Sequence, residues 1–139
     1  MTGGFTLTII KPDAVQGNHA GNILKLIIEK GFRIAAMKMF KMSEEQASSF
    51  YAVHKDRDFY KNLVVFMSSG PVIAAIIEKP DAVAEYRRLM GATDPSKAGA
   101  GTIRNIYSTS IQKNAVHGSD SDENAVIESN FFFAATDRF

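Results

Sequence analysis

Cysteine is absent from the 139-residue chain, which excludes disulfides, thiolate nucleophiles and cysteine-ligated zinc or iron–sulfur centres. The absence fits a reducing cytoplasm, and any metal has to come through oxygen ligands or with the substrate. Charge of one sign is also lacking. With 16 basic and 15 acidic side chains the formal net charge is +1, so composition directs the chain to neither nucleic acid nor membrane. Long apolar runs are missing too, because the longest tract, Leu63 to Ile77, is broken by Ser68-Ser69-Gly70-Pro71 and falls short of a membrane span. At the start, Met1-Thr2-Gly3-Gly4 lacks a basic n-region, and Phe5 to Ile10 is too short and threonine-laced for a secretory signal. These absences predict a soluble cytoplasmic protein.

With 45% apolar and 22% charged residues, the chain has enough material for one core, and 1–139 is expected to be a single domain. Phe5 to Ile10 alternates apolar and hydroxyl residues and then turns continuously apolar, as a strand entering a core does. Ala20, Ile23, Leu24, Ile27 and Ile28 recur at helical spacing up to a stop at Gly31. Phe32 to Met42 reads as a second strand. Ser43-Glu44-Glu45-Gln46 has the pattern of a capping box, and Asp58 is placed to cap a further helix that ends at Gly70-Pro71. Val72 to Ile77 then suits a strand buried on both faces.

The first strand-to-helix junction, Ile9-Ile10-Lys11-Pro12-Asp13-Ala14-Val15, is echoed at Ile76-Ile77-Glu78-Lys79-Pro80-Asp81-Ala82-Val83. Proline suits a first helical turn and aspartate its dipole, so the echo reads as one junction chemistry used twice. Two such units predict a split βαβ pair: an α+β, ferredoxin-like βαββαβ antiparallel sheet covered by helices. A second helix from Ala82 to Met90 stops at Gly91. A long loop follows from Ala92 to Ser110, with one helical turn near Ile103 to Tyr107. The chain returns through Val116, and Asp120 or Ser121 can cap a last helix through Glu128. Phe131-Phe132-Phe133 is expected to seal the core; for Ala134 to Phe139 there is no expectation.

The candidate chemistry centres on Asn114-Ala115-Val116-His117-Gly118-Ser119-Asp120. A neutral imidazole beside a glycine, which leaves one flank of the ring uncrowded, is a candidate nucleophile, although a lone histidine is more often structural. Gly91 to Ala98 has the spacing of a phosphate-binding loop but lacks its second glycine and its magnesium-binding hydroxyl. His117, Ser119 and Asp120 are too close in sequence to line up as a triad. Lys11, Arg87, Arg88, Thr93 and Arg104 lie near predicted turns and would suit a polyphosphate if they converged.

Lys11-Pro12-Asp13-Ala14-Val15, Ser69-Gly70-Pro71, Leu89-Met90-Gly91-Ala92-Thr93, Gly101-Thr102-Ile103-Arg104 and Asn114 through Ser121 together resemble the nucleoside diphosphate kinase family, in order and over nearly the whole chain. The resemblance implies a ferredoxin-like core, a phosphohistidine at His117 Nδ1, nucleoside triphosphate and diphosphate substrates with Mg²⁺, and a homo-oligomer, tetramer or hexamer. It places Glu128 and Ser119 beside His117. It assigns Lys11, Arg87, Arg104 and Thr93 to the phosphates, Asn114 and Lys11 to the sugar, and Phe59 to stacking on the base. Tyr51, His54 and Leu63 match further cleft positions. Departures are Asp58 for the family's usual proline, Ala100 for a common proline, and Asn105-Ile106 for glycine and aspartate. The alternative is a non-catalytic nucleotide-binding or regulatory module of the same fold. An RNA-recognition module is disfavoured by the lack of aromatic RNP strands and a basic face.

Overall fold

β1 (Phe5–Ile10) is one of two central strands of the sheet. In the computed structural model, which describes residues 4–139, it pairs antiparallel with β3 (Val72–Glu78) along one edge and with β4 (Val116–Gly118) along the other. β2 (Arg33–Phe40) adds antiparallel to β3, giving the order β2-β3-β1-β4. This is the ferredoxin-like α+β arrangement expected from the two strand-to-helix units. No helix among the described residues is long and apolar enough to cross a membrane. The reading of Met1 to Gly3 as lacking a leader lies outside the described residues.

Alternation along β1 feeds two cores, since successive side chains point to opposite faces. Leu7 and Ile9 pack with Met42, Ala47, Val64, Met67 and Phe132, under α3 (Glu44–Phe50), α4 (Tyr60–Met67) and α7 (Asp122–Phe132). Ile10 packs on the other side with Ile23, Ile27, Tyr86 and Met90, from α2 (Ala20–Glu29) and α5 (Ala82–Met90). Across that second layer the Tyr86 hydroxyl and Thr8 Oγ1 lie 2.6 Å apart, so neither buried oxygen is left unpaired.

Several junctions differ from expectation for local reasons. β2 is shorter than Phe32 to Met42, and its register slips between Ile34 and Ala36, where a bulge turns both Ala35 and Ala36 toward one core. Ser43 and Gln46 form the predicted capping box. Asp58 caps nothing; α4 begins after Phe59 without a side-chain cap. The echoed junctions are not equivalent, because Pro12 opens α1 (Pro12–Gln16), whereas Asp81 sits in the left-handed region at φ +58 and does not cap α5. Ser121, not Asp120, caps α7, which runs beyond Glu128 to Phe132. Phe132 and Phe133 are buried, while Phe131 is 42% exposed. The tail returns to the sheet, with Phe139 N–H donating to the Ala35 carbonyl at 2.8 Å.

The long loop is folded rather than open. It contains a 3₁₀ turn (Pro95–Lys97) and α6 (Ile103–Tyr107), capped by Asp94 and Thr102 respectively. Asn105 Nδ2 donates to the Ala98 carbonyl at 3.2 Å and ties the two together.

Gly118 has a packing role that the sequence reading missed. A Cβ there would lie 2.8 Å from Met90 Sδ and 2.9 Å from Tyr86 Cδ2, so the glycine lets β4 approach α5. The methionine can move, but the tyrosine is fixed through Thr8. Gly118→Ala is therefore expected to lower stability by about 1–3 kcal/mol, read as a fall in urea midpoint at unchanged m-value.

Candidate active site

His117 is placed by its pairing opposite Ile9 of β1, and its ring is fixed from α7. Nε2 lies 2.9 Å from Glu128 Oε1, and Ser119 Oγ donates to the same carboxylate oxygen at 2.7 Å. Ser119 Oγ in turn accepts from the Leu7 N–H at 3.3 Å. A carboxylate at this position makes Nε2 the protonated nitrogen, so Nδ1 keeps its lone pair. Two aromatic rings pack against the imidazole in T-shaped geometry, Phe50 at 5.4 Å between centroids and Tyr51 at 6.2 Å.

Lys11 ends the run of β1 and is 8% exposed. Its ammonium donates to Asn114 Oδ1 at 2.8 Å, and Asn114 Nδ2 donates to the Thr93 carbonyl at 3.2 Å. Arg104, equally buried, donates to the carbonyls of Asn114, Gly91 and Val116 at 3.3, 3.2 and 2.8 Å. Those carbonyls satisfy its donors, but no carboxylate neutralises its charge among the described residues. Arg87 is exposed at the end of α5. Across the cleft Phe59 is 43% exposed, with the Arg57 guanidinium 5.5 Å from its ring centroid and the His54 ring at the same distance.

These side chains meet in one cavity of about 570 Å³. Every predicted site residue lines it except Ser119, which is fully buried behind Glu128. His54 and Leu63 line it as well. Arg88, counted among the sequence candidates, is not in the lining. The sequence reading missed Val53, Ile111, Gln112, Asp120 and Asn124. A signal existed for one pair: Asp120 and Asn124 are one helical turn apart, and Asn124 Nδ2 donates to Asp120 Oδ1 at 2.6 Å. Val53 and Ile111 are apolar side chains, 84% and 60% exposed, in segments without periodicity, so nothing local marked them.

Burial and like charge act together on the cationic side. Desolvation, with the Arg104 charge adding to it, brings the Lys11 ammonium from its ordinary 10.5 down to about 8, while Asp13 pulls the other way. Desolvation also lowers Arg104, a group that stays charged at any ordinary pH. The Tyr51 hydroxyl, buried without a partner, is pushed well above the usual range by desolvation and then by Glu128. Such a cleft favours an anionic ligand that would stabilise the Lys11 charge, with an unprotonated imidazole nitrogen at its floor.

The family model described as nucleoside diphosphate kinase matches residues 5–138. The chain is 54% identical over 134 residues to a nucleoside diphosphate kinase of Flavobacterium psychrophilum, covering 96% of each chain. It is 56% identical over 130 residues to that of Chlorobaculum tepidum, covering 94% of this chain and 93% of the other. Among solved structures, the Aquifex aeolicus nucleoside diphosphate kinase superposes with a TM-score of 0.96 at 43% identity, over 98% of this chain and 99% of that one. A Halobacterium salinarum nucleoside diphosphate kinase in complex with CDP superposes with a TM-score of 0.94 at 37% identity, over 97% and 90%.

The Lys11 shift has a stability consequence. Between its folded value of about 8 and its ordinary 10.5, the unfolded chain binds more protons at this site than the folded one, so stability from this group rises with pH across that window. The denaturant-derived stability of the wild type, minus that of Lys11→Met, is expected to grow from about pH 7 to about pH 10, by at most roughly 3 kcal/mol. A difference that stays flat would remove the charged, buried lysine from the account.

Proposed function

The chain belongs to the nucleoside diphosphate kinase family, and from that premise we propose that it moves the γ-phosphoryl group of a nucleoside triphosphate to a nucleoside diphosphate through a phosphohistidine at His117. The observation that carries this reading is the Leu7–Ser119–Glu128–His117 chain of hydrogen bonds. It occupies Nε2 and leaves Nδ1 as the nucleophile in a cleft with Lys11, Arg87 and Arg104.

In the first half-reaction the Nδ1 lone pair attacks the γ-phosphorus in line. The bond from phosphorus to the bridging oxygen breaks, and its electron pair leaves with the diphosphate. Nε2 keeps its proton, and Glu128 offsets the positive charge that the ring acquires. In the second half a terminal oxygen of another diphosphate attacks the phosphorus and the N–P bond breaks, restoring the neutral ring. Charge spreads over the phosphoryl oxygens in both transition states, so Lys11, Arg87 and Arg104 act by position and electrostatics. Thr93 adds a donor for the phosphates, and Asn114 with Lys11 reaches the sugar hydroxyls. Phe59 offers a π-face, common to every base, which implies broad base tolerance. The cytidine diphosphate held by the Halobacterium salinarum relative is a ligand of the class this cleft would take.

Magnesium fits as a companion of the nucleotide. Among the described residues no cluster of three or more potential ligands forms a metal cage. Of the cleft carboxylates, Glu128 is engaged by His117 and Ser119, while Asp120, exposed and bonded through Oδ1 only to Asn124, would hold the ion. When bound, Mg²⁺ would neutralise phosphate charge with few protein ligands. We further read residues 1–139 as one domain that works in the cytoplasm as a tetramer or hexamer. The non-catalytic alternative has no comparable support.

Incubation with γ-labelled ATP should yield an acid-labile, alkali-stable phosphoenzyme, and His117→Ala should abolish it. Label retained in that variant would move the nucleophile elsewhere. The arginines should separate by readout. Arg87→Ala should cost about tenfold in kcat/KM, on the order of 1.4 kcal/mol of transition-state binding, at an unchanged melting temperature. Arg104→Ala should lose at least as much activity and also destabilise by about 1–3 kcal/mol, because it orphans buried carbonyls. Equal melting temperatures for the two variants would refute the structural half of the Arg104 assignment.

A further inference from the structure

Ala115 stands at φ +72, in the left-handed region where a Cβ is disfavoured. The Val116 N–H donates to the Asn114 carbonyl at 2.8 Å, which closes a three-residue γ-turn of the rare, strained hand. This turn separates the two residues that the cleft needs side by side, Asn114 and His117. Strain of this kind persists only where the surroundings over-determine it.

The surroundings are specific. Ala115 N–H donates to Asp13 Oδ2 at 3.1 Å, and Lys11 N–H donates to the Ala115 carbonyl at 2.8 Å. Arg104 holds the carbonyls on either side. Asp13 does not line the cavity, and its carboxylate faces the first-turn N–H groups of Asp13 and Ala14 as well as that of Ala115. Its side chain turns from the first turn of that helix to a backbone amide 102 positions away in sequence. Burial raises its carboxyl, an effect opposed by the Ala115 N–H and then by Lys11. A surface aspartate serving only the helix dipole would have no reason to be so placed.

We propose that Asp13 is a positioning residue: its carboxylate clamps the strained Ala115 turn, and that clamp sets Asn114 and His117 in register at the cleft. The proposal rests on the phosphohistidine reading for its kinetic consequence, but the clamp itself is independent of the chemistry. A competing role for Asp13 would be to support the Lys11 charge. Asn at this position separates the two, since it keeps an acceptor oxygen for the Ala115 N–H and removes the charge.

The test measures single-turnover phosphorylation of His117 and hydrogen exchange at the Ala115 amide in the full chain, for Asp13→Ala and Asp13→Asn. Asp13→Ala is expected to slow phosphorylation at least about tenfold and to speed Ala115 exchange by a similar factor. Asp13→Asn should stay within about threefold of wild type in both. Ala115→Gly, which accepts a positive φ without penalty, should recover part of the rate lost in Asp13→Ala. Two results overturn the clamp: Asn as slow as Ala, which assigns the effect to charge, or an Ala115 amide equally protected in all variants. Should the wild type form no phosphohistidine, the exchange measurement still decides the clamp, and only the functional reading falls.

Discussion

The whole site hangs from β1, which is hydrogen-bonded along both edges and fully buried over most of its length. Leu7 meets Ser119 through both its N–H and its carbonyl, Ile9 lies opposite His117, and Lys11 N–H meets Ala115. Three successive inward or outward steps of one strand thus fix the relay, the nucleophile and the turn before it. A strand paired on both sides has little freedom to shift by less than a full register, and a register slip would turn every side chain to the other face. Precision at the histidine is therefore inherited from a strand paired along both edges.

The cationic side of the cleft is costly for the empty fold. Lys11 and Arg104 are both nearly buried and repel one another, and the nearest carboxylate, on Asp13, is committed to a backbone amide. Polar partners are supplied instead by Asn114 and by carbonyl groups, which satisfy hydrogen bonds without cancelling charge. A triphosphate would bring the missing negative charge, so the interaction deferred in folding becomes available to binding and to the transition state. Active sites commonly trade stability in this way.

Much of the fold was legible because it is written in local patterns: the helical spacing of Ile23 and Ile27, the box at Ser43 and Gln46, and the apolar run of β3. The cleft residues were legible through the motif resemblance, and eleven of the twelve side chains it places there line the cavity, with Ser119 behind it. What escaped was set by contacts distant in sequence. Gly118 is small because of Met90 and Tyr86, and the β2 bulge is a matter of register against β3. Asp13 read as a dipole residue because its partner, a backbone amide, carries no identity in the sequence. Asp58 shows the reverse error, a good capping residue where Phe59 occupies the cap position.

The two walls of the cleft differ in how they are held, and the difference matches what each would have to recognise. On the cationic side Lys11, Asn114, Arg104 and the Thr93 carbonyl form a continuous chain of hydrogen bonds. On the other side Phe59 stands at the start of α4 with Arg57 and His54 against its ring, and Val53, in the same lining, is almost fully exposed. Phosphoryl transfer needs its groups placed within a fraction of an ångström, whereas stacking tolerates any base and some slack. Because every base offers a π-face while the phosphates are common to all, such a division would leave the rate insensitive to which nucleotide arrives.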